Sequence, residues 1–385
     1  AAVIAYYVNP VNIRTACLMM EVDEYMKKII CNLILILFFV VTMTPPTYAQ
    51  DQDDSAGITL TEALEMALKT SNSIKQIEYD IERGEEVRKS ALDKLSYIPS
   101  GEAEPQVAAA WTGLLATDVG LQMTKKGKEV EIDKIKYDVF KKYTEVLSSL
   151  EKLELARLQL ENAERNWRVT LISFDTGIIS QSQLKSAEYG TKTAKTSYEA
   201  AAKEADKAYQ NFNYLIGLRA QDRPLLTEEI EFAPIQVDNL DSEVHRIMDG
   251  NPAIWLAEQQ VTLAEIQLDL YNWADPMREP YDAKKIDIEK AELSTVEGKM
   301  QMKNALYNIY NGIILLEDNY VITEQALKMA QEDYRVKKLQ YDVGMISKQD
   351  YLQSELALAK AENDFNQIVY QHEALKQSFY KPWTQ

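Results

Sequence analysis

The sequence predicts an all-α protein built from two tandem repeats of a long coiled-coil helical hairpin. A short motif occurs twice: the segment Phe174–Ser180 reads FDTGIIS, and the segment Tyr341–Ser347 reads YDVGMIS. Each copy interrupts a long helical pattern and is followed by another one. The stretch 128–176 contains neither glycine nor proline, and the stretch 281–381 contains no proline. Long helices joined by a repeated turn indicate hairpins that reach across a distance, not a catalytic pocket.

The composition agrees with helices whose surfaces are partly wet. The chain has 385 residues with only 13 glycines and 11 prolines, and it carries 22 tyrosines against 8 phenylalanines. Tyrosine combines an apolar ring with a polar hydroxyl, which suits half-exposed positions. The net charge of −18 argues against a nucleic-acid partner.

The first 49 residues are predicted to be a leader outside the fold. Met26 precedes two lysines, the apolar run Ile29–Met43 follows, and Ala49 ends the segment before a cleavage site, as in a secretory signal peptide. Residues 1–25 are interpreted as an upstream extension translated in error, with a genuine extended leader as the alternative. Because the run is shorter than the roughly 20 residues of a membrane-spanning helix, we expect export and cleavage near Ala49.

Both cysteines, Cys17 and Cys31, lie in this leader. The exported chain from Gln50 is therefore expected to have no disulfide and no thiolate metal site.

Five segments describe the predicted organisation. The leader is followed by a polar arm, a first helical-hairpin repeat, a linker and a second repeat, with the bounds 1–49, 50–57, 58–223, 224–239 and 240–385.

The first repeat opens on a capping box, in which Thr59 and Glu62 start a short helix. A second helix is expected to end near Tyr97. The segment 98–124 contains three glycines and two prolines, so we expect it to be irregular. It has room for at most a vestigial β-hairpin near 106–123.

The long helix that follows carries apolar residues at intervals of three, four and seven, which predicts a left-handed coiled coil. Further leucines widen the stripe, so we expect neighbouring helices on both sides. The residues of the seam are Val139, Tyr143, Val146, Leu150, Leu153, Leu160 and Trp167.

Each repeated motif is predicted to be the tip of a hairpin. Gly177 and Gly344 can adopt a positive φ at the end of a helix. A second capping box then starts each return helix. These tip helix caps are Ser180 with Gln183, and Ser347 with Asp350.

The second repeat begins near Leu240, and its second helix begins at Asn251-Pro252. The break between its helices lies at 273–280. Repeat one is about 12 residues longer between its first helix and its tip, and we expect the extra residues within 98–124.

These features together resemble the TolC family of outer-membrane efflux proteins. The resemblance rests on the start LTEALEMA at Leu60–Ala67, on the aromatic-x-x-Gly tips, and on the helix order used twice; it covers about 58–381. It implies a homotrimer whose hairpins form a hollow α-barrel, with a periplasmic adaptor (membrane fusion) protein and an inner-membrane pump as partners. It also implies passive transport without enzymatic activity or a cofactor.

The sequence departs from that family where the family's β-barrel is inserted. A membrane-crossing strand needs about 9–11 residues, so 98–124 could barely hold one truncated hairpin and 274–280 can hold none. We therefore expect a TolC-like duct with the β-barrel strands largely missing. Its expected location is the cell envelope, in an outer membrane or a periplasm-like space, and the departure brings membrane spanning into question.

The resemblance also assigns roles to residues at the tips. The adaptor-docking residues are Phe174, Gly177, Ile178, Tyr341, Gly344 and Met345. The alternative is that both glycines only end helices while Ile178 and Met345 pack on their own hairpin. Tyr341 and Asp350 match positions of the family's gate, although Asp350 has the alternative role of capping acid.

Catalytic or metal chemistry has little support. His245 and His372 are the only histidines, and each has its neighbouring glutamate on another helix face. We find no nucleophile or phosphate-binding motif. The sequence thus predicts an exit duct, with a non-conducting helical scaffold of the envelope as the alternative.

Overall fold

A computed structural model of the chain describes residues 57–98, 104–269, 271 and 279–384. They belong to one compact unit that begins at Gly57. The predicted leader, nearly all of the polar arm and the break at 273–278 lie outside the described residues.

The described residues form eight α-helices and one short 3-10 helix, and the two repeats use their helices in the same order. Repeat one contains α1 (Leu60–Thr70), α2 (Asn72–Asp93), α3 (Pro105–Asp175) and α4 (Gln181–Ile216). Repeat two contains α5 (Leu240–Asp249), α6 (Pro252–Asp269), α7 (Tyr281–Asp342) and α8 (Lys348–Tyr380), followed by the 3-10 helix Pro382–Thr384. The predicted all-α class with two hairpin repeats is confirmed.

Helix α3 begins more than 20 residues earlier than the sequence suggested. The predicted irregular segment is wrong from Pro105 onward, and so is the β-hairpin near 106–123, because those residues are helical. Pro105 occupies the first turn, where its missing N–H costs nothing. Three apolar residues at intervals of seven, Val107, Leu114 and Leu121, are buried. Their burial outweighs the roughly 1 kcal/mol that each glycine costs inside a helix.

The extra length of repeat one is helical. Helix α3 has 71 residues against 62 in α7, and α2 has 22 against 18 in α6. At 1.5 Å per residue, α3 extends roughly 13 Å further from its tip than α7 does.

The four longest helices form an open layer in the order α4, α3, α8, α7. Helix α3 packs against α4 and α8, and α8 packs against both α3 and α7. Helices α4 and α7 lie at the two edges without extensive contact with each other. Helix α2 continues the layer beside α3, and α6 packs between α3 and α7. In a closed four-helix bundle, the two edge helices would meet.

Each repeat has its own apolar core where its short first helix packs on its hairpin. In repeat one, Phe212 is fully buried and meets the ring of Tyr143 edge-on, with 5.9 Å between the centroids. In repeat two, Phe379 and Leu306 are fully buried. The start of repeat one also pairs with the linker through a parallel bridge between Ile58 and Leu226.

Candidate functional site

The two hairpin tips have the same backbone geometry. Gly177 has a φ of 75° and Gly344 a φ of 77°. At the first tip, the N–H of Gly177 donates to the carbonyl of Phe174 (2.9 Å) and the N–H of Ile178 to that of Ser173 (2.9 Å). The second tip repeats this pattern, which satisfies helix-end carbonyls as a Schellman motif does. A left-handed residue is required at both turns.

Each return helix begins with a reciprocal capping box. Ser180 N–H donates to Gln183 Oε1 (2.8 Å), and Ser347 N–H donates to Asp350 Oδ2 (3.2 Å). The hydroxyl of Ser347 also donates to Asp350 Oδ2, at 2.7 Å. These bonds hold the pKa of Asp350 below its usual range. The carboxylate of Asp350 is therefore engaged in the cap, while the residue remains exposed.

The tips present apolar side chains to solvent. Ile178 is 77% exposed, Met345 is 74% exposed and Val343 is 70% exposed. Ile178 and Met345 therefore do not pack on their own hairpins, whereas the preceding Phe174 is half-buried. An exposed apolar tip beside exposed backbone offers a surface for another apolar tip.

The second tip also holds a tyrosine cluster that sequence reasoning missed. The ring of Tyr341 stacks on that of Tyr351 with 5.1 Å between centroids, and the hydroxyls of Tyr334 and Tyr351 are 2.9 Å apart. That hydrogen bond raises the pKa of Tyr351. Lys348 Nζ lies 4.2 Å from the centroid of Tyr351. The available signal was the seven-residue interval between Tyr334 and Tyr341, which places both on one face of α7.

One edge of the layer carries an unpartnered apolar series, which we call the edge seam. Its members are large apolar residues in two runs at intervals of seven, all exposed in this chain: Ile286, Leu293 and Met300, then Leu315, Ile322, Met329, Val336 and Val343. Val296 and Leu339 add the alternating steps of three and four that mark a coiled-coil interface. No described residue of the chain covers these side chains.

The contact between the two hairpins is polar by comparison. Glu151 on α3 accepts hydrogen bonds on Oε1 from Asn366 Nδ2 and Tyr370 Oη of α8, each at 2.9 Å. Its other oxygen is buried without a partner among the described residues. Burial raises the pKa of Glu151 and that of Tyr370. Nearer the tips, Gln349 bonds to Asn162.

The two histidines take part in no ligand group among the described residues, in which no three metal-binding side chains converge. His372 is fully buried, and its Nε2 lies 3.1 Å from Glu317 Oε1. The same oxygen accepts from the N–H of Ile235 in the linker, at 2.6 Å. His372 thus helps to fix the linker on α7, while His245 is exposed.

Within the described part of the chain, no helix is both long and apolar enough to cross a lipid bilayer.

The predicted leader and the helical unit are similar to different known proteins. Residues 1–35 match the family described as Bacteriophage scaffolding protein D. Over 30 residues the chain is 70% identical to the external scaffolding protein D of Enterobacteria phages phiX174 and S13, which covers 8% of this chain and 20% of each of those proteins. The chain thus spans about a fifth of the length of the curated relatives it matches. The match ends before the first described residue, so it concerns the predicted leader and not the helical unit.

The helical unit is similar in fold to solved outer membrane channels. The chain is similar to the CmeC outer membrane channel of Campylobacter jejuni, with 13% identity over 86% of this chain and 87% of that chain and a TM-score of 0.61. It is also similar to the MtrE outer membrane channel of Neisseria gonorrhoeae (14% identity, 84% and 88% coverage, TM-score 0.57) and to the outer membrane protein VceC of Vibrio cholerae (10%, 83% and 94%, 0.57). These are TolC-family channels, so the resemblance to that family is confirmed for the fold.

Proposed function

We propose that this chain is the exit duct of a tripartite export system, in which three copies close into a tube and conduct solutes without a chemical step. The observation that carries the proposal is the edge seam. An apolar series at heptad spacing needs a second helix, and no helix among the described residues covers it. Helix α4 is the opposite edge of the layer, so α4 of a neighbouring copy is the complementary surface.

Closure of the layer is favourable in energy and in geometry. Full burial of one large aliphatic side chain is worth about 1.5–3 kcal/mol. Eight partly exposed members of the edge seam therefore supply on the order of 10 kcal/mol per interface, which offsets association costs of roughly 4–15 kcal/mol. Twelve helices about 10 Å apart enclose a lumen of roughly 25–30 Å. That width passes folded peptides and small molecules.

The tips of such a tube dock a periplasmic adaptor in this proposal. Exposed Ile178 and Met345 lie beside the glycine turns and are free to meet the apolar tip of another helical hairpin. Tyr341 and Asp350 narrow the tube at the same end. The leader directs the protein to the cell envelope, where the tube connects an inner-membrane pump to the exterior.

The alternative is a helical scaffold of the envelope that conducts nothing. One feature favours it: residues 105–123 are helical, where a duct with a membrane barrel would have strands. A scaffold requires no closed ring, so the oligomeric state separates the two functions.

The test is the mass in solution of residues 50–385, measured by light scattering and native mass spectrometry. A duct predicts a trimer that the double variant Ile322→Glu, Met329→Glu converts to a monomer with unchanged helical content. The control is Leu225→Glu, which introduces the same kind of charge at an exposed leucine in the linker, away from the edge seam. If the wild-type chain stays monomeric at all concentrations, the proposal of a duct is wrong.

A further inference from the structure

A cavity of about 260 Å³ lies between α3 and α8, at the end of the hairpins away from the tips. It is bounded on α3 by Lys136 and Tyr137 and on α8 by Tyr380, and Thr384 of the 3-10 helix closes one end. All of these residues belong to one chain, so the cavity needs no second copy.

The walls of the cavity combine aromatic rings with the aliphatic stems of lysines. Tyr137 and Tyr380 are half-buried and contribute their rings, while Lys376 and Lys381 contribute their stems. Burial raises the pKa of Tyr380, so its phenol stays neutral throughout the physiological range. Such walls favour a flat apolar ligand over a strongly hydrated one.

The charges around the cavity do not balance. Lys376 pairs with Glu373 at 2.6 Å, and its Nζ also donates to the carbonyl of Ala233 at 3.0 Å. Lys381 pairs with Asp133 at 2.6 Å. The second oxygen of Asp133 accepts from the indole N–H of Trp383 at 3.1 Å.

Lys136 is the lining lysine without an acidic partner among the described residues. Each lining carboxylate already has a lysine partner, so the lining carries one more positive than negative charge. One unpaired ammonium group is available to an anion. A single lysine without arginine suits one carboxylate better than a phosphate, which is bound where several donors converge.

We propose that this cavity binds a small aromatic carboxylate, with its ring between Tyr137 and Tyr380 and its carboxylate on Lys136. The volume of about 260 Å³ is slightly below the usual range of small-molecule sites, which restricts the ligand to one or two fused rings. This site is distinct from the tips and the edge seam, and it binds its ligand whether or not the tube conducts.

The test is calorimetric titration of the full exported chain with 2-naphthoate. A ligand of this size in a partly open cavity is expected to bind with a Kd of about 0.1–1 mM. The neutral isostere 2-naphthylmethanol is expected to bind more weakly, and 2-naphthylmethylammonium not at all. The variant Lys136→Gln keeps part of the stem and removes the charge, so it should weaken naphthoate binding about three- to fivefold.

Two further variants make the result decisive. Lys134→Gln removes an exposed lysine of the same helix that does not line the cavity, and it should leave the Kd unchanged. Gln377→Trp fills the cavity from α8 and should abolish binding while circular dichroism shows unchanged helical content. Absence of saturable binding, or equal binding by wild type, Lys136→Gln and Gln377→Trp, overturns the proposal.

Discussion

A substitution of Gly344 at the second tip separates the steric from the backbone contribution to the free energy of unfolding. Gly344 has a φ of 77°, and a Cβ built on it meets no atom within 4 Å. The change Gly344→Ala therefore introduces no clash, and its whole cost is the left-handed conformation, about 1–2 kcal/mol for an L-residue. The smaller unfolded-state entropy of alanine recovers part of this. We expect the free energy of unfolding to fall by about 1 kcal/mol.

The matched control lies in the same hairpin. Gly298 is inside α7, has no positive φ, and would also carry its Cβ in open space. Gly298→Ala should raise the free energy of unfolding by about 0.5–1 kcal/mol because it improves helix propensity. Both variants are measured by urea unfolding at one protein concentration. If Gly344→Ala is as stabilising as Gly298→Ala, the left-handed turn does not exist in solution and the tip geometry is wrong.

Two other substitutions test the core and the contact between the hairpins. Phe212→Ala should lower the free energy of unfolding by about 3–5 kcal/mol, since Phe212 is fully buried against Tyr143; Tyr214→Ala, an 89% exposed position on the same helix, should change it by less than about 0.5 kcal/mol. The pKa of Glu151 is raised in the folded chain, so this group favours the folded state at acid pH and loses that contribution as pH rises above its ordinary value of 4.5. Glu151→Gln keeps an acceptor for Asn366 and Tyr370 and should be more stable than wild type at pH 7, with a smaller difference at pH 4.5; a lower stability at pH 7 would show that the charge is compensated.

The sequence predicted the helix boundaries that depend on local interactions. The capping box of Thr59 and Glu62 is present, and α4 begins directly after its predicted cap Ser180. The start of α3 was missed because glycine content is a local signal, whereas the burial of Val107, Leu114 and Leu121 is a tertiary one.

The tyrosine cluster at the second tip was missed for a related reason. Tyr334 and Tyr341 share a helix face, but Tyr351 comes from the return helix. The meeting of all three depends on the register of α7 against α8. That register is a property of the packed hairpin and is not contained in the pattern of either helix alone.

The two kinds of contact along the layer differ in chemistry, and the difference follows from what each must do. The helices α3 and α8 belong to one chain, and the linker bonds to both of them through Tyr143 and Lys376, so their contact need not generate much free energy. It can contain carboxylates and amides such as Glu151, Asn366 and Gln349, each of which loses hydration on burial. The edge of α7 is not joined by a linker to the helix of another copy. In the proposed tube, association there must offset the loss of translational and rotational freedom, which apolar burial does and exposed polar pairs do not. An apolar edge seam such as Ile322 and Met329 beside a polar internal contact is therefore the distribution expected of a chain that meets other chains through α7.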